Sequence, residues 1–127
     1  MKKDKELISK FRTIEREITQ EKGPFTLFAL IQRQGAWDDW DVVVAAPWVR
    51  KDLMKTLDYL VEKIRKVLCK EELLKVSKIV PLDPSWDFVK EINEEYREYG
   101  EVGLRNIDIN GIEIKRAHIL TSTPESA

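Results

Sequence analysis

A chain of 127 residues, 43% hydrophobic and 35% charged, can bury one core and is too apolar to stay disordered, so a single domain is expected. Lys and Arg number 22 against 23 Asp and Glu, a balance that disfavours nucleic acid as a partner. Cys69 is the only cysteine, which excludes an internal disulfide and a cysteine-based metal site, and no apolar run reaches the length of a membrane span.

Residues 4–20 carry Leu7, Ile8, Phe11, Ile14 and Ile18 at helical spacing, which predicts an amphipathic helix ended by Gly23-Pro24. Phe25 to Gln34 is almost wholly apolar and predicts a strand covered on both faces. Gly35 begins a turn into a second strand, about Trp40 to Ala46. A second helix is expected over 50–69, with a broad core stripe of Leu53, Met54, Leu57, Leu60, Val61, Ile64 and Leu68. Leu74 to Leu82 predicts a third strand. The intervening helix makes strands two and three parallel neighbours.

Asp83-Pro84-Ser85 opens a third helix whose buried face is Phe88, Val89, Ile92 and Tyr96, stopped by Gly100. Leu104 to Ile109 and Ile112 to Ile119 flank Asn110-Gly111, the preferred dipeptide of a type I′ hairpin turn. That turn pairs Ile109 with Ile112 and Ile107 with Ile114, four isoleucines on one face. The order α-β-β-α-β-α-β-β predicts an α+β (or α/β) domain over residues 1–120 with a mixed sheet of about five strands. Residues 121–127 are expected to fray. The opening Met1-Lys-Lys-Asp-Lys-Glu has no signal-peptide core, so a cytoplasmic location without membrane partners is the expectation.

Candidate chemistry concentrates between Gly35 and Trp48. Side chains alternate along a strand, so Asp39 and Asp41 share a face and are candidate ligands for a hard cation such as Mg²⁺. Trp37 and Trp40 sit in the turn, where tryptophan beside acids suits a protein partner or a homo-oligomer seam. Arg33 and Arg50 border that turn as its natural cations. Trp48 and Trp86 are assigned to the core, and Cys69 is expected as a buried thiol. Glu113-Ile114-Lys115 matches the Glu-x-Lys half of a metal nuclease motif, with Asp108 facing Glu113, a match common by chance. His118 has no second histidine with which to form a zinc site.

Leu27-Phe28 on a strand, a polar turn, then Asp39-Trp40-Asp41-Val42-Val43-Val44 resembles the minimal nucleotidyltransferase domain. In that family an Asp-x-Asp follows a Gly-Ser loop, opens the next strand and holds metal. Lys78-Ile79-Val80-Pro81-Leu82-Asp83, followed by a helix, is similar to the family's third strand. The resemblance implies a nucleotidyltransferase-like core with Mg²⁺ on Asp39 and Asp41. Ala29 and Leu30 stand where the family has Gly-Ser, and Lys78 where a third carboxylate is expected. The expected function is therefore that of a non-catalytic, degenerate domain acting through binding or self-association. The alternative is a Mg²⁺-dependent nucleotidyl or phosphoryl transferase using Asp39 and Asp41.

Overall fold

A computed structural model describes residues 2–35, 39–96 and 102–124. In chain order the elements are α1 (Lys2–Lys22), β1 (Leu27–Arg33), β2 (Trp40–Ala45), a 3₁₀ turn (Pro47–Lys51), α2 (Leu53–Val67), α3 (Lys70–Leu73), β3 (Val76–Leu82), α4 (Asp87–Tyr96), β4 (Val102–Ile109) and β5 (Ile112–Ser122). The strands form one mixed sheet in the order β3-β2-β1-β5-β4. Only β2 and β3 run parallel, as the helical connection between them requires. This is the expected single-domain mixed α+β fold.

Alternation along β1 and β2 divides the interior in two. Phe28, Leu30, Trp40, Val42 and Val44 face one way, onto Leu7, Phe11, Ile14 and Ile18 of α1 and Leu60 and Ile64 of α2. Leu27, Ala29, Ile31, Val43 and Ala45 face the other way, toward Val89 and Ile92 of α4. A strand buried on both faces can afford almost no polar side chain, which is why β1 reads as a continuous apolar run. Asn110 and Gly111 both adopt positive φ, the hairpin registers Ile109 with Ile112 and Ile107 with Ile114, and Ile107, Ile109 and Ile114 pack beside α4 while Ile112 is exposed.

Several expectations are corrected. The core stripe of α2 is narrower than expected: Thr56, Leu60 and Ile64 are buried, whereas Leu53, Met54 and Val61 lie on the outer side. The period of 3.6 puts these apolar positions on two flanks, and the sheet below has room for one. Cys69 is exposed because it is the N-cap of α3, a one-turn helix inside the span expected to join α2 and β3. Trp86 is exposed, since Asp83 accepts hydrogen bonds from the Ser85 N–H (2.9 Å) and Oγ–H (2.7 Å) and holds a turn ahead of α4. β5 runs on to Ser122, which is buried and donates to Asn93 Oδ1 at 3.0 Å, so pairing continues past residue 120. Trp48 packs on Phe25 (ring centroids 5.3 Å apart) against the first core, as expected.

Glu21, in the last turns of α1, accepts hydrogen bonds from Tyr59 Oη and Lys63 Nζ of α2. Those bonds, Lys63 first, hold the Glu21 carboxyl below the ordinary glutamate range. A depressed carboxylate adds stability that is complete above the unfolded pKa and is lost as pH falls through the folded one. Glu21→Gln is expected to lower the melting temperature at neutral pH and to converge with the parent chain in acid, which flattens the acid limb of melting temperature against pH. An acid limb as steep as that of the parent chain would show that this clamp contributes nothing to stability.

Candidate functional site

On the face covered by α4, that helix lies against β4 and β5 and leaves the β1-β2-β3 end open. The opening is a cleft of about 370 Å³. Its floor is Ile31, Val43, Val80 and Leu82, and its rim carries Trp86 and Phe88 from the start of α4 and Asn110 and Ile112 from the hairpin tip. Three charged residues enter it from adjacent strands: Arg33, Asp41 and Lys78.

Asp41 is 5% exposed, and its Oδ2 accepts from Arg33 Nε at 2.9 Å. β1 and β2 pair so that Ile31 lies opposite Asp41, which brings Arg33 within reach along the neighbouring strand. On the other side, a register shift between Trp40 and Asp41 sets Lys78 directly beside Asp41. The carboxylate therefore lies between two cations, one bonded to it and one exposed at the mouth. A lone acid with an Arg partner offers a metal little, because a cation would have to displace the guanidinium and then find other ligands. Among the described residues no cluster of three or more His, Cys, Asp or Glu side chains could hold a metal ion.

The residues singled out in the sequence thus separate. Asp39 is half-buried just ahead of β2 and is not part of the cleft wall, so the two acids do not line it together. Trp40 is corrected from a surface contact to a core residue: it is 1% exposed, beneath α1, because alternation turns it away from Asp41. His118 lies beside its ring (centroids 5.5 Å apart), and the Arg116 guanidinium sits over it at 5.2 Å. Trp37 and the side chain of Arg50 lie outside the described residues. Glu113 is exposed opposite Asp108, whose carboxylate accepts from the Gly111 N–H at 3.0 Å and so serves the hairpin turn.

The cleft's apolar rim was not anticipated. Alternation in β3 does contain the signal, since Lys78, Val80 and Leu82 share a face. The placement of Trp86, Asn110 and Ile112 around it depends on tertiary packing.

Arg33 and Asp41 bury unequally, which makes their loss asymmetric. Arg33→Met leaves a buried carboxylate without its bonded partner and is expected to cost about 2–3 kcal/mol. Asp41→Asn is expected to cost less than about 1.5 kcal/mol, because the Arg33 side chain, 46% exposed, can turn to water. Urea denaturation of both variants measures this; equal costs would contradict the burial argument.

No protein-family model matches the chain, and searches of curated proteins and of solved structures return no significant match.

Proposed function

We propose that this chain is a non-catalytic binding domain with a degenerate nucleotidyltransferase-like core, and that its open cleft takes a ligand with an apolar body and an acidic group. The observation that carries the reading is Asp41, the acid of the Asp-x-Asp pattern that reaches the cleft, already neutralised by Arg33 with Lys78 beside it. Concave, largely apolar walls with a few convergent polar groups are what small-ligand sites share. With Arg33 engaged, Lys78 is the cation left to meet an incoming carboxylate, while Trp86, Phe88 and Ile112 cover its apolar portion. Phosphoryl or nucleotidyl transfer needs metal ions bridging phosphates and a backbone cradle for them. Ala29 and Leu30 lie buried within β1 and offer no such loop, which weighs against the transferase alternative.

Decanoate, an apolar chain with one carboxylate, tests the reading, with Trp86 at the rim as the fluorescent reporter. Saturable quenching is expected, weakened about tenfold by Lys78→Ala and abolished by Ile112→Glu. ATP with Mg²⁺ is expected to leave the melting temperature unmoved. A rise in melting temperature with ATP and Mg²⁺, lost in Asp41→Asn, would instead favour a nucleotide site at Asp41 and overturn this reading.

A second reading, self-association, is favoured by Leu53, Met54 and Val61, which present an apolar strip on the outer side of α2. Light scattering is expected to show a concentration-dependent dimer that Met54→Glu disperses. A monomer at every concentration removes this reading and leaves the cleft untouched.

A further inference from the structure

On the opposite face, α1 and a floor provided by β4 and β5 enclose a second groove of about 550 Å³. Its α1 wall is Lys5, Ser9, Arg12, Thr13 and Arg16, a helical stripe of cations and hydroxyls. Its floor is His118, with Gly103 facing it across the strand pair. A Cβ at position 103 would come within 3.3 Å of the imidazole, so this glycine leaves room for the ring.

Among the described residues no carboxylate lines the groove, although the chain as a whole is almost neutral. Four glutamates of α1 have other surroundings or partners. Glu21 bonds Tyr59 and Lys63, Glu17 acts on the same pair, and Glu6 lines a different cleft beside Cys69. The nearest acid, Glu15, is buried and bonded to Arg12 at 2.8 Å. Arg12 also donates to the Leu120 carbonyl at 2.8 Å, which anchors that guanidinium in position.

Arg105 of β4 registers directly opposite Arg116 of β5, on the same face as His118. The Arg116 guanidinium of that pair is seated over the Trp40 ring at 5.2 Å.

We propose that this groove binds a chain of phosphate groups through its oxygens. At 1.5 Å per residue, Lys5 and Arg12 stand about 10 Å apart along α1 and Arg12 and Arg16 about 6 Å, a spread that serves successive phosphates rather than one. Guanidinium forks and hydroxyl donors suit phosphate oxygens. Apart from the His118 imidazole no aromatic ring lines the groove among the described residues, so contact is chiefly with the phosphate backbone. Single-stranded nucleic acid and inorganic polyphosphate share this chemistry.

The test uses the full chain with fluorescein-labelled oligothymidylate in an anisotropy titration, and with long-chain polyphosphate as competitor and, separately, by calorimetry. Two phosphate contacts, at Lys5 and Arg16, predict a slope of about −1.4 in log affinity against log salt. The double variant Lys5→Ala/Arg16→Ala, at two exposed positions, should raise Kd at least about tenfold and flatten that slope by about one unit or more. The pair Lys51→Ala/Lys55→Ala, outside the groove, should change neither. Binding of the strand assigns a nucleic acid backbone, and binding of polyphosphate alone assigns the inorganic chain. Failure of both to bind overturns the proposal, as does equal weakening by the two double variants, or binding that Lys5→Ala/Arg16→Ala leaves unchanged.

Discussion

Covering a five-stranded sheet with too few helices is the constraint from which the molecule's surfaces follow. Strands about 4.8 Å apart make a sheet roughly 24 Å wide, and a helix covers about 10 Å of it. One face has two long helices, α1 and α2, and the other has α4 alone. β1 and β2 are nonetheless apolar on both sides, and the end that α4 does not reach keeps Ile31 and Val43 buried beneath a rim that includes the exposed Trp86 and Ile112. That end is the cleft. The second groove lies on the other face, where α1 overhangs the β4-β5 pair.

The Arg33–Asp41 pair has to be understood inside that geometry. An acid on the second strand of a nearly all-apolar sheet must be paired, and the neighbouring strand supplies the guanidinium at 2.9 Å. Such a pair adds little stability compared with a well-packed apolar residue. What it does add is a fixed polar landmark on an apolar wall, and Lys78 extends it with a cation at the mouth. A site built this way favours a ligand of opposite charge with an apolar body. It holds poorly a bare divalent cation, which requires several hard oxygen donors.

Much of the architecture was legible in the sequence because local signals and tertiary packing agree. Asn110-Gly111 fixed the hairpin and its register, and the apolar run Leu27–Ile31 announced a strand buried on both faces. Periodicity failed where it offered more apolar positions than the fold could cover, as at Leu53, Met54 and Val61 on α2. Trp40 was misplaced because a tryptophan between two aspartates looks like a turn residue, whereas the pleat alone decides that it points into the core. Asp39 and Asp41 were expected to act together, yet Asp41 enters the cleft and Asp39 stops short of it, since strand geometry begins only at Trp40. Charge segregation on α1 escaped notice because net charge sums over faces that never meet.

The Asp41 carboxylate is held by the Arg33 guanidinium at 2.9 Å, and a divalent cation would have to displace that partner. The most direct measurement is the Arg33 Nε–H resonance in a ¹⁵N-labelled chain during titration with MgCl₂. A downfield, slowly exchanging Nε–H is expected, which magnesium leaves in place and which is lost in Asp41→Asn. Loss of that signal in the parent chain at saturating magnesium, with new shifts at Asp39 and Asp41 together, would contradict it.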